Sequence, residues 1–541
     1  MASTTGVPIT YGTGTARRTA LVLASATLTV HGLLLLNDGV YWDGHLIYTY
    51  LYERNWAELS TMFREGGAPQ TAVIHWLLGQ SLHRVFIYKL TAFVAILVAT
   101  LAIWRLGAES RRVTNGEAAW IAVLTMAYPG YRVAVELIET PSLICYGCFF
   151  LAAWIDYRAL NRDRGRAVAL HLLTGVLFVL SFTLPSMVPM FAGYVLFAML
   201  TSQSRWLDRV TWVLVLIAAT SIRWMLRPGG GHEGYNQVSL SVFSAITEFG
   251  WFLRYAIYDT TNRAIAGLIA QPLVALGALL AARATFAAPS ACDETPRADL
   301  RTFGFSIVLF GLAVGPYAVV GKHPLLDGWT TRHALLVGLP FAMAIVAFSS
   351  MLERLWRPKP YVRQLVLTVV IVAFGASLVQ SYLGWQARWV KDVSVLTNLA
   401  RTPGAERYSI FLIDDRFPEG GEPSYRLYEW FSLFRRIWHD RPRAAVFGEP
   451  SVQDIEQALA PFHSGRYYLA DLDLLGCEAK LEIRRGRYGP DDFTMALTYS
   501  YTRLFKPERL PDYLSQVTAI TVRPRPFDRP DAHSASAGCS P

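Results

Sequence analysis

The stretch NDGVYWDGHLIYTYLYERNWAEL, residues 37–59, follows directly on an apolar run at 19–36. Two carboxylates, Asp38 and Asp43, therefore stand at a membrane edge among Tyr41, Trp42, His45 and Tyr48. Acids beside a bilayer are costly, and where they are kept they usually serve a function. The rest of the chain has to say which side of the membrane they face and what they act on.

The chain has 541 residues, 53% hydrophobic and 17% charged. That charge content is well below the roughly 25% of soluble domains. Apolar runs fall near 19–36, 85–104, 116–135, 141–157, 167–184, 186–202, 210–226, 264–283, 302–320, 333–350 and 364–383. Each approaches the roughly 20 residues that a spanning helix needs. The runs are continuous rather than alternating, so they do not describe a membrane β-barrel. The expected fold is an α-helical polytopic membrane protein of about eleven spans. Two shorter apolar segments, 71–83 with His75 and 241–258 with Glu248 and Arg254, read as interfacial or half-inserted helices.

The net charge of +9 does not point to nucleic acid. The excess arginine lies in short segments between apolar runs, where it sets topology. With the N-terminus inside, the segments 1–18, 105–115, 158–166, 203–209, 283–301 and 351–363 are cytoplasmic and carry most of the loop cations. An odd number of spans then places residues 384–541 outside. The expected division is a membrane domain 1–383, an extracytoplasmic α/β domain 384–522 and a Pro- and Ser-rich disordered tail 523–541. In the outer domain, YSIFLIDDRF, RYYLADLDL and AKLEIRRG read as strands, and YRLYEWFSLFRRIWH and VQDIEQALAPF as helices. The first apolar run reads as a retained anchor in the inner membrane, not a cleaved signal. The five cysteines show no metal-binding spacing, and Cys145 and Cys148 read as packing residues.

By this topology the unusual polar residues converge on the outer face. Asp38 and Asp43 follow the first run, and Glu136 and Glu139 the third. Arg227, His232 and Glu233 follow the seventh, and Lys322, His323, Asp327, Arg332 and His333 lie between the ninth and tenth. Such convergence can form a pocket at the membrane–water boundary. From Tyr41 to Met62, apolar residues at helical spacing suggest one helix lying flat on that surface.

An acidic motif just outside the first span, an interfacial helix with a Trp and a Gly/Pro turn ending in an aromatic together resemble the GT-C glycosyltransferases, polytopic enzymes that use polyprenyl-phosphate-linked sugars. The matching pieces are YWDGHLIYTYLYERNW and GGAPQTAVIHW. The resemblance implies that Asp43, or else Asp38, is the general base that takes the proton of an attacking acceptor hydroxyl. It implies phosphate-binding cations, for which Arg254, Lys322, Arg332 and His333 are the outward candidates, with His232 and His323 nearby. Glu136 or Glu139 would orient the acceptor or hold a divalent cation. Several members of the superfamily carry a second acid after the first; Gly44 stands there in this chain, so the metal site stays unknown. The partners implied are the polyprenyl-phosphate-linked donor, a glycan, lipid or protein acceptor, and membrane lipids.

Plainer readings apply to the same residues. Asp38 suits an Asn-Asp-Gly turn or a helix cap. Glu136 and Glu139 could form a solvated helix end, Arg332 and His333 an interfacial anchor, and His31 a link between helices. A transporter or flippase of lipid-linked glycans and a non-catalytic scaffold with a glycan-binding outer domain are the alternative functions. The ionisable residues cluster at span ends, and no internal repeat is visible, which favours the transferase over the transporter.

Overall fold

The computed structural model describes residues 13–160, 164–202, 206–225, 241–270, 272, 276, 297–325, 329–356, 360–417, 427–439, 442–447, 477–488 and 491–524. His232, Asp327, the VQDIEQALAPF and RYYLADLDL segments and nearly all of the 523–541 tail lie outside them.

Every apolar run of the sequence lies wholly or partly on a helix. In chain order these are α1 (Thr13–Leu36), α5 (Arg84–Ser110), α6 (Asn115–Ala127), α7 (Thr140–Leu160), α8 (Arg164–Ser181), α9 (Met187–Thr201), α10 (Trp206–Met225), α12 (Thr260–Ala270), α13 (Leu300–Ala318), α14 (Gly338–Trp356) and α15 (Pro360–Ala400). Among the described residues, six segments are long and apolar enough to cross a membrane: Gly14–Leu36, Arg84–Ser110, Leu137–Leu160, Leu300–Ala318, Thr330–Trp356 and Val362–Ala400. The chain is an integral membrane protein of helical, polytopic plan.

The run at 116–135 is not one helix. α6 starts on a capping box, in which Thr114 and Glu117 bond each other's backbone amides, and it stops at Ala127. Tyr128 precedes Pro129 and takes the extended backbone that a following proline favours, with ψ 132°. The chain then turns through two short 3₁₀ segments, Pro129–Val135 and Leu137–Glu139, before α7. This broken ending carries Glu136 and Glu139 into the protein interior.

The single flat helix expected over 41–62 is also replaced. α2 (Gly44–Tyr52) and α3 (Trp56–Glu65) are separated at Arg54, whose φ is +55°, and Asn55 caps α3 by accepting from the Glu58 amide at 3.2 Å. α2 is not spread on a lipid surface: seven of its nine residues, including Leu46, Ile47 and Tyr50, are buried. α4 (Pro69–Leu78) and α11 (Val242–Arg254) account for the two short apolar segments, and α11 passes through a single π turn, Tyr255–Asp259, into α12.

α15 is 41 residues long. At about 1.5 Å per residue it reaches roughly 60 Å, twice the hydrocarbon thickness. Its second half therefore leaves the bundle and becomes a wall of the C-terminal domain. Among the described residues that domain holds a four-stranded sheet in the order β2-β1-β3-β4, with β1 (Tyr408–Asp415), β2 (Ala444–Phe447), β3 (Cys477–Arg485) and β4 (Thr518–Pro524). β1 is central and parallel to both neighbours, and Phe411 lies level with Ala445 and Ala479. Its run of four buried residues, Ile410–Ile413, is what a strand covered on both faces requires. β4 pairs antiparallel with β3 and extends to Pro524, so Arg523 and Pro524 are strand where the sequence suggested tail. The described helices of the domain are α16 (Leu427–Arg435), α17 (Asp492–Phe505) and α18 (Leu510–Val517). α17 and α18 pack along α15, and Ser394 and Asn398 of α15 hydrogen-bond the backbone around Leu514–Thr518.

Candidate functional site

The first loop is held from three directions. Asn37 Oδ1 accepts from the Gly39 amide at 2.9 Å and the Tyr41 hydroxyl at 3.1 Å. The Tyr41 hydroxyl also reaches the Trp385 carbonyl of α15 at 2.7 Å. A Cβ at Gly39 would overlap that hydroxyl, so only glycine fits there. Trp42, wedged edge-on against Trp385 at 4.9 Å, has φ +45°. That is a rare conformation for a bulky residue, held only because its surroundings over-determine it. The next residue is Asp43.

Asp43 stands at the N-terminus of α2 without capping it. Its Oδ1 accepts instead from the Tyr428 hydroxyl of α16 at 2.7 Å. The tyrosine fixes the orientation of the carboxylate. Asp38 is placed differently. Its Oδ1 accepts from Gln386 at 3.2 Å, and its Oδ2 from Tyr499 at 2.8 Å, with Arg503 NH1 2.5 Å away. The two acids named together from the sequence thus face different partners. Asp38 ties α1 to α17, and Asp43 meets α2, α16 and the 3₁₀ turn.

Glu136 is 1% exposed, and neither of its carboxylate oxygens has a hydrogen-bond partner among the described residues. Burial, then the neighbouring Glu139, push its carboxyl well above the usual range; Arg332 and Lys89 act in the opposite direction, and Asp43 adds to the upward push. Glu139 is paired: Arg332 NH1 donates to its Oε1 at 3.0 Å. Beyond Arg332, the His333 ring packs on Tyr317 at 4.9 Å and lies 3.4 Å from the His323 carbonyl. His323 bonds Glu248 at 2.8 Å and stacks on Trp251 at 5.4 Å. Arg254 lies over the same Trp251 and 3.7 Å from Asp259. Lys322 sits in the turn after α13, its amide bonded to the Tyr317 carbonyl at 3.0 Å. Asp43, Glu139 and Arg332 thus all act on the charge of Glu136, while His323 and Arg254 share the Trp251 ring further along.

Several neighbours were not foreseen. Lys89, five residues into α5, is 1% exposed, donates to the Val135 carbonyl and lies 5.3 Å from the Tyr41 ring centroid. A lysine inside an apolar run is a functional signal by itself, so this one was legible. Arg388 and Glu429 form an ion pair at 2.5 Å, both essentially buried, and Lys391 pairs with Asp415 at 2.6 Å. Arg436 lies over the Tyr48 and Trp389 rings at 4.2 and 4.8 Å, and burial lowers its basicity. His45 of α2 is buried, and among the described residues neither ring nitrogen has a hydrogen-bond partner; burial, then Arg436 and Arg388, hold its pKa well below the usual imidazole value. These residues lie on opposite sides of the boundary between bundle and C-terminal domain, so no local sequence pattern links them. Tyr48 and Tyr50 belong to this packed seam: Tyr50 is 4% exposed. Trp56 is exposed and meets Trp76 at 5.4 Å. His31 joins helices as expected, bonding the Tyr382 hydroxyl at 2.7 Å and the Met126 carbonyl at 2.9 Å.

Among the described residues no group of three His, Cys, Asp or Glu side chains is arranged to hold a metal ion. No family model and no curated protein matches the chain. Among solved structures, the chain is similar to the crystal structure of ArnT from Cupriavidus metallidurans bound to undecaprenyl phosphate, with 13% identity and a TM-score of 0.42 over 92% of this chain and 95% of that one.

Proposed function

We propose that the protein is a membrane glycosyltransferase of GT-C type that moves a sugar from a polyprenyl-phosphate-linked donor to an acceptor hydroxyl on the outer face of the inner membrane, with Asp43 as general base. The observation that carries this reading is the placement of Asp43: on a strained turn, at a helix N-terminus, oriented by Tyr428 and beside the buried Glu136. A base must be held in one geometry, charged and within reach of the proton it removes. The loop chemistry around Asp43 supplies the first condition.

In this reading the acceptor hydroxyl approaches Asp43 and attacks the anomeric carbon as the bond to the lipid phosphate breaks. The hydroxyl proton passes to Asp43, and the configuration at that carbon inverts. Charge builds on the leaving phosphate. Arg332, already oriented by Glu139, is the candidate for it. Glu136, favoured in its neutral form, can donate a hydrogen bond to substrate. The outer-face assignment is supported by the cation bias of the loops and by Cys477, which is disulfide-bonded, a state that persists in oxidising compartments.

The test is a transfer assay with purified protein, radiolabelled polyprenyl-phosphate sugars and a membrane extract as acceptor source. Asp43→Asn should lower turnover by about 10²–10⁴-fold with unchanged donor binding. Full activity in that variant would remove Asp43 as the base.

A further inference from the structure

A well-formed cavity lies away from Asp43. It lies at the other end of α5, which runs 27 residues, or about 40 Å, from Arg84 beside Tyr48 and Tyr52 to Ser110 at the cavity wall. Its volume is about 450 Å³, within the range of ligand sites. The interior is apolar, with Phe149, Phe150, Phe197, Phe305, Leu309 and Met343 on its walls.

The mouth is strongly cationic. Arg111, Arg112, Arg297 and Arg301 line it against one acid, Asp299. Asp299 is occupied: its Oδ1 caps α13 by accepting from the amides of Arg301 at 3.0 Å and Thr302 at 3.1 Å. Among the described residues no carboxylate pairs with Arg111, Arg297 or Arg301. The rim is also built. Glu117, 1% exposed, accepts from the Arg297 and Ala298 amides at 3.1 and 3.2 Å, and from Ser350 and Arg363 at 2.9 and 3.1 Å. Arg112 is fixed by its bond to the Leu200 carbonyl at 2.6 Å. A buried carboxylate thus anchors the segment that brings Arg297 and Arg301 to the opening.

We infer that this cavity binds an anionic phospholipid, its acyl chain among the phenylalanines and its phosphate against the arginine rim, at the end of the bundle opposite Asp43. The arginines lie in the cation-rich segments assigned to the cytoplasmic side, where anionic headgroups meet basic pockets between spans. Guanidinium groups match phosphate oxygens in geometry as well as charge. A zwitterionic lipid offers the same tail but adds a cation that four arginines disfavour. The site does not depend on the transferase reading.

Native mass spectrometry of the full chain in detergent tests this, using phosphatidylglycerol, phosphatidylcholine and undecaprenyl phosphate as probes. The expected result is retention of phosphatidylglycerol over phosphatidylcholine, with that preference falling roughly tenfold in the double variant Arg297→Gln, Arg301→Gln. Thermal unfolding of the lipid-free variant, unchanged from wild type, shows that the fold is intact. Phe305→Trp, which narrows the chamber, should lower phosphatidylglycerol retention with the arginines in place. Equal retention of both phospholipids, or a preference that survives loss of the arginines, overturns the site. Arginine-dependent retention of undecaprenyl phosphate over phosphatidylglycerol overturns the phospholipid assignment.

Discussion

Arg503 and Asp38 lie 465 positions apart in the chain, yet the Arg503 guanidinium is 2.5 Å from Asp38 Oδ2 and also donates to the Leu36 carbonyl at 2.8 Å. One side chain of α17 thus pairs with the first loop acid and caps the end of α1. With Tyr499 on the same carboxylate, this contact fastens the C-terminal domain to the membrane bundle.

Arg503→Ala should loosen that junction without unfolding either part. The pair is partly exposed, so its own contribution is modest, about 1 kcal/mol or less. Limited proteolysis should cut the variant faster between bundle and domain while the sheet stays intact. Wild-type cleavage kinetics would show that the junction does not depend on this pair.

Tyr428→Phe should separate orientation of Asp43 from its chemistry. The ring packing is kept and one hydrogen bond to the carboxylate is lost, a contribution of about 1.5–3 kcal/mol for a bond to a charged group. Turnover should fall roughly 10–100-fold, less than in Asp43→Asn, with donor binding unchanged. If the tyrosine only packs, turnover will stay at the wild-type value.

Glu136 gives a stability test. Its folded carboxyl titrates well above the usual 4.5 because of burial and Glu139. The contribution of the protonated group is fully present below pH 4.5 and is lost as pH rises toward the folded value. Glu136→Gln should therefore unfold at a higher temperature than wild type near pH 8, by about 2–4 °C for each kcal/mol recovered, with the gap closing near pH 4.5. A gap independent of pH would show that Glu136 does not titrate in the fold.

His45 should behave in the opposite sense. Its folded pKa lies below 6.5, so the folded state resists the proton that the unfolded chain takes up. The related stability is present above pH 6.5 and is lost as pH falls below it. His45→Phe removes two unsatisfied buried nitrogens and should flatten the loss of melting temperature between pH 7 and pH 5. An unchanged slope would assign that loss to other groups.

The residues themselves determined the membrane plan. A run of some twenty apolar residues has few structural options in lipid, because every backbone amide must be satisfied within the segment. The eleven runs were therefore visible, and each lies wholly or partly on a helix among the described residues. The strand at 408–415 was legible for a related reason: its apolar run is short and β-branched at Ile410 and Ile413. Local rules also singled out Asp43, Glu136, Glu139 and Arg332 as candidates, since charges at span ends stand out.

Tertiary structure decided what those charges meet. The split of Asp38 from Asp43, the burial of Glu136 and the Tyr428 contact all depend on α15 carrying the C-terminal domain back over the first loop. The break at Tyr128–Pro129 could be read from proline geometry, but where it would deliver Glu136 could not. Electrostatic and hydrogen-bond partners hundreds of residues apart leave no periodic pattern in a single chain; they are set only when helices pack and exclude water between them.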